Sequence, residues 1–210
     1  MKLPSLSIAK CMIHEAGQLN PGLWVEHSFF TAQAAESIAN NCPQLNPEDA
    51  YILGLLHDIG RREGKSNIRH IIDGYAFLKS KGYDDAAQIS LTHSFPYKDI
   101  NIYFGEDDCT EKEREFINDY LNKITFNIYD RLIQLCDAVA SAYGFCLLEK
   151  RFIDVAMRCG ADEKIVLKWE ATFQIKDEFE KYMGKSIYQV LPGVIENTFE
   201  LSCKELMLDK

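Results

Sequence analysis

Tyr51-Ile52-Leu53-Gly54-Leu55-Leu56-His57-Asp58-Ile59-Gly60 is apolar on every side of a helix until its last turn. There an imidazole and a carboxylate stand together. Pro47 suits a first-turn position and Gly60 a stop, so the spacing predicts a helix over 47–59, buried on most sides. Burying a carboxylate costs several kcal/mol unless it is paired or bound to metal. Two partners are open to Asp58: a helix-end salt bridge to Arg61 or Arg62, or a metal ion.

Outward from this run, the chain reads as helix after helix. Helices are expected over 4–16 (stopped by Gly17), 23–40, 68–80, 84–94, 110–124, 127–143, 148–158, 162–182 and 186–207, with a turn-rich stretch from Ser94 to Asp108. Thr110 with Glu113 three residues on is a capping-box pattern. No alternating run is long enough for a sheet, and no repeat or linker divides the chain. The expected fold class is all-α, one compact helical domain over 1–210.

The 210 residues are 47% hydrophobic, an ordinary globular composition. With 23 basic and 32 acidic residues the net charge is -9, the wrong sign for bulk binding to nucleic-acid phosphates. No apolar run reaches the ~18 residues of a membrane span. Lys10 and His14 interrupt the N-terminal apolar stretch, so no signal peptide is expected. Seven cysteines, at 11, 42, 109, 136, 146, 159 and 203, make neither a disulfide framework nor a zinc-finger spacing. Reduced thiols in a cytoplasm fit them best.

Two further helices carry isolated polar groups. Trp24, His27, Thr31, Ala34 and Ile38 recur at steps of three and four, which turns His27 inward. A lone histidine there is most often a satisfied core residue. In 127–143, Ile128, Leu132, Leu135, Val139 and Tyr143 form an apolar stripe, and Asp130, Gln134, Asp137 and Ser141 form a second one. The second stripe reads either as a solvated face or, because Ile133, Cys136, Ala138 and Ala140 crowd Asp137, as the setting of a ligand.

The ordered set of His27, His57-Asp58 and Asp137, each on its own helix, resembles the HD superfamily of metal-dependent phosphohydrolases. LLHDIGRREG (55–64) is similar to its HD-I-G variant, with Arg61 where many members carry Lys. The resemblance covers roughly residues 20–145. His70, followed by Gly74, and His93 in SLTHSFP are similar to the family's later histidine blocks, although His93 stands alone where the fullest members often carry a pair. The resemblance implies two divalent ions. His27, His57, Asp58 and Asp137 would hold the first; Asp58, as a bridge, with His70 and His93 would hold the second. Four imidazoles and two carboxylates without a thiolate suit Fe, Mn, Co, Ni or Zn. The implied reaction is attack of a metal-activated water on a small phosphoester, a nucleotide or dinucleotide.

Arg61, Arg62, Lys65, Arg69 and Lys98 lie near these ligands in sequence. Arg61 and Lys98 are the expected phosphate contacts, which makes Asp58, Arg61 and Lys98 the expected catalytic set. The remaining cations read as solvated, and His14 as structural. No Gly-rich phosphate loop, G-x-S-x-G elbow or cysteine nucleophile signature competes. The same six ligands would also serve a di-iron oxygenase or a metal-stabilised nucleotide sensor without turnover. The C-terminal third, from Leu148, carries no chemistry of its own; it caps the fold, shapes the pocket or forms a dimer surface. The oligomeric state is open.

Overall fold

The computed structural model describes residues 1–103 and 105–200. In it the run at 51–60 sits where four helices meet. Helices α1 (Leu6–Leu19), α2 (Trp24–Ala39), α5 (Asp84–Thr92) and α7 (Ile128–Val139) all pack on α3 (Pro47–Leu56). Ile52, Leu53, Leu55 and Leu56 are all buried, as a helix without a polar face requires. Asn46 caps α3 by accepting from the Asp49 amide at 3.0 Å, and Pro47 opens its first turn.

The expected helix over 47–59 stops at Leu56. His57 is its C-cap, and the chain tightens into a 3-10 turn, Ile59–Glu63. The turn leads to α4 (Arg69–Ser80), and Gly60 and Gly74 bring the two segments into backbone contact. A Cβ on Gly60 would overlap the His70 carbonyl and the Gly74 amide, and one on Gly74 would meet the Gly60 amide at 3.0 Å. Helix α5 is shorter than expected, with His93 as its C-cap. The capping box at Thr110 and Glu113 is present and starts α6 (Glu111–Lys123).

Three other boundaries differ from expectation. Helix α1 continues through Gly17 to Leu19, because a lone glycine lowers helix propensity by only about 1 kcal/mol. Helix α7 ends at Val139, not at 143: Ala140–Ser141 (β1) pairs antiparallel with Gly144–Phe145 (β2). Two residues per strand leave no alternation to read, so the pairing has no sequence signal. After α8 (Leu148–Cys159) and α9 (Ile165–Met183), the helix expected over 186–207 is instead a 3-10 turn, Ile187–Gln189, and a short α10 (Val194–Phe199), separated by Pro192-Gly193. Its residues 201–207 lie outside the described residues. Among the described residues the fold is all-α apart from one small hairpin.

Helices α8 and α9 lie against α7 and contribute Phe152, Ile175 and Phe179 to the same apolar core as α1–α3. Phe152 and Trp169 stack at 5.5 Å with an interplanar angle of 10°. No described helix is long and apolar enough to cross a membrane.

Candidate metal centre

Three of the expected ligands are set by one local device. His57 Nδ1 donates to the carbonyl of Gly54 at 2.7 Å, His93 Nδ1 to that of Ser90 at 2.9 Å, and His70 Nδ1 to that of Asn67. Each ring sits at a helix end or in a first turn, where a carbonyl three residues back is within reach. A neutral imidazole that donates through Nδ1 turns the lone pair of Nε2 outward, the arrangement that fixes metal-binding histidines.

The Nε2 atoms converge on Asp58. His70 Nε2 lies 3.0 Å and His93 Nε2 3.5 Å from Asp58 Oδ1, and His57 Nε2 lies 3.9 Å from Oδ2. The Nε2 atoms of His70 and His93 are 3.3 Å apart. On the other side, His27 Nε2 is 2.9 Å and His57 Nε2 3.8 Å from Asp137 Oδ1. Two groups could each hold an ion: His27, His57 and Asp58, and Asp58, His70 and His93. Asp58 belongs to both.

The donor chemistry fits a cation. His57 is fully buried, and Asp58, His70 and His93 are each at most 3% exposed. The His57 Nε2 and the His27 Nδ1 are buried without a hydrogen-bond partner. The Nε2 lone pairs of His57, His70 and His93 face carboxylate oxygens that are also acceptors, and acceptors packed together out of water repel one another. A divalent ion among them turns that repulsion into coordination.

The protonation states agree. Burial lowers the His57 pKa to about 4 against the opposing pull of Asp58, and burial with the Arg61 charge lowers that of His70. Burial raises the Asp58 carboxyl, but Arg61, His70 and His57 outweigh it and hold it well below the usual carboxylate range. Asp137 is likewise held low, the bond from His27 and the charges of His27, His57 and His93 overcoming burial. Neutral imidazoles at His57 and His70 beside the ionised carboxylates are the ligand forms a metal needs.

The cations sort differently from their order in sequence. Arg61 donates from Nε to Asp58 Oδ2 at 2.6 Å and from a terminal nitrogen to the Ser66 carbonyl at 3.2 Å. It is drawn onto the shared carboxylate, the salt-bridge partner foreseen for Asp58, and does not stand free as a phosphate grip. Arg62 lies over the Phe77 ring at 4.0 Å, and Arg69 pairs with Asp73 and Glu113. The structure does not bring Lys98 to the cluster. Lys98 is exposed, its ammonium donates to the Ile124 carbonyl, and it lies over Phe126 at 5.0 Å. The turn at Pro96 carries it away from His93. Lys65 is exposed, and His14 contacts Gln18 on the outer face of α1.

Other residues at the centre had no strong signal in the sequence. Asp130 and Gln134, on the polar stripe of α7, are buried rather than solvated. Asp130 accepts from Thr92 Oγ1 and Gln88 Nε2, each at 2.7 Å, and Gln134 donates to the carbonyls of Thr92 and Phe95, each at 3.1 Å. Lys168 of α9 lines a cleft that opens beside His93 and Asp137. Nothing near Lys168 in sequence could have pointed to it, because only the packing of α9 on α7 places it there.

A family model of the HD domain matches residues 24–142, more than half of the chain, and this stretch contains all six residues. The chain belongs to the HD domain family. HD domains bind divalent metals and form a superfamily of metal-dependent hydrolases, in keeping with the acceptor cluster built around Asp58. No curated protein and no solved structure matches the chain. The HD match ends before α8, so the cleft is walled on one side by HD helices and on the other by helices outside the match.

Proposed function

We propose that the protein is a metal-dependent phosphohydrolase that cleaves a small phosphoester, a nucleotide or dinucleotide being the form the family likeness favours. The observation that carries this reading is the pair of buried ligand groups sharing Asp58, with acceptor atoms facing one another. His27, His57, Asp58 and Asp137 would hold one divalent ion, and Asp58, His70 and His93 a second. Such ions, when bound, acidify a water and neutralise charge on phosphoryl oxygens.

The chain's own residues supply position. Asp58 presents one oxygen to His70 and His93 and the other to Arg61, so the guanidinium fixes its plane. In the reaction a water oxygen bonds to phosphorus as the ester P–O bond breaks opposite it. One water proton ends on the leaving alcohol; a monoester gives phosphate and the alcohol, a diester a phosphomonoester and the alcohol. A net charge of -9 leaves little attraction for polyanions, which favours small substrates.

The test combines elemental analysis of the purified protein with release of phosphate from monoesters and of mononucleotide from dinucleotides. Two ions per chain and turnover of at least one phosphoester are expected, and Asp58→Ala should lose both together. Full activity of Asp58→Ala on every active substrate would overturn the reading.

A further inference from the structure

The cleft beside the metal centre has a volume of about 130 Å³. One wall is His93 and Asp137. The other is built by α8 and α9, with Phe152, Val155, Ile165 and Trp169 facing in. For scale, an apolar cavity of roughly 150 Å³ holds benzene. Several polar donors on the walls are committed within the protein. Thr172 donates its hydroxyl to the Lys168 carbonyl at 2.8 Å, and the Gln134 amide donates to the carbonyls of Thr92 and Phe95, each at 3.1 Å. Arg151 Nε donates to the Ala140 carbonyl at 2.9 Å.

With those donors taken, a nucleobase seated here would leave some edge groups unpaired, at about 1–3 kcal/mol for each. An apolar ring meets no such cost and gains the aromatic and aliphatic wall. Lys168 lines the same cleft as His93 and Asp137, so its side chain shares the space at the metal end.

We infer that this cleft seats the leaving group of a phosphomonoester, an apolar group no larger than about one ring, with Lys168 beside the phosphoryl end. The inference rests on the hydrolase reading but departs from its nucleotide form: aryl or compact alkyl phosphates match the volume of the cleft, and a nucleotide or dinucleotide exceeds it.

Calorimetry on the metal-loaded protein, with phosphonates that cannot be hydrolysed, tests the cleft apart from turnover. Phenylphosphonate should bind at least tenfold more tightly than methylphosphonate, and also at least tenfold more tightly than 1-naphthylphosphonate or uridine 5′-monophosphate. Lys168→Met should weaken phenylphosphonate about tenfold with metal content unchanged, and Val155→Trp should remove the preference for phenyl over methyl. Equal binding of methyl and phenyl ligands would overturn the inference, as would tighter binding of the naphthyl ligand or the nucleotide. The size series uses the unmodified protein and reads out whether or not the variants fold. If the series holds but metal-loaded protein releases no phosphate from phenyl phosphate, the hydrolase reading fails and the selectivity of the cleft stands.

Discussion

Asp58 faces two kinds of partner through its two oxygens: imidazoles at Oδ1 and a guanidinium at Oδ2. The sequence left these as alternatives, and the structure has a place for both. Arg61→Ala should therefore lower metal affinity, by about 10–100-fold as expected for an outer partner of a ligand. Arg61→Lys should restore only part of it, because a lysine has no Nε–H to meet Oδ2 and no second arm for Ser66. Metal titration of both variants checks this; unchanged affinity in Arg61→Ala would reduce the contact to packing. His57 makes a pH prediction for the metal-free protein. Its pKa is about 4 when folded and returns to about 6.5 on unfolding. Between these values the unfolded chain binds more protons, so stability is full above pH ~6.5 and falls as the pH drops toward ~4. Urea midpoints at pH 7 and pH 5 read the effect, and His57→Gln should flatten it.

At the scale of elements, α7 acts as a clamp on the end of α5. Asp130 takes three donors: Thr92 Oγ1, Gln88 Nε2 and the Asn127 amide, the last at 2.8 Å. Gln134 holds the next turn through the carbonyls of Thr92 and Phe95, on either side of His93. The 130-134-137 spacing was legible in the sequence, but whether it faced water was not, because that depends on where α5 stops. Asp130→Asn keeps the shape but offers one acceptor oxygen and turns an amide toward donors. It should cost about 1–3 kcal/mol of stability, read by thermal unfolding. A variant as stable as the parent would show that Asp130 does not brace α5.

For the whole molecule, ligands that stand on helices with clear periodicity could be read from the sequence, and contacts made by folding could not. Lys98 is five residues from His93 yet is tied to Ile124, whereas Lys168, far along the chain, comes back beside Asp137. The hairpin after Val139 was invisible for another reason: two residues per strand are shorter than the period that would reveal them. The break at Pro192-Gly193 did have a signal, since a Pro-Gly pair marks a turn, and the expected helix over 186–207 ran through it. If ions bind only the folded chain, their removal must destabilise all of it. For one ion at a hundredfold excess over its Kd, chelation should lower the Tm by roughly 5–10 °C. A Tm unmoved by chelator would mean that the six side chains hold no tightly bound ion. The contact of Gly60 with Gly74 bears on how such chains are recognised at all. It makes the separation between the two ligand groups a backbone dimension, set by two methyl groups that are absent. A chain with alanine at either position would keep all six ligands and pass any test that counts ligands alone, while its two halves stood too far apart to share one carboxylate.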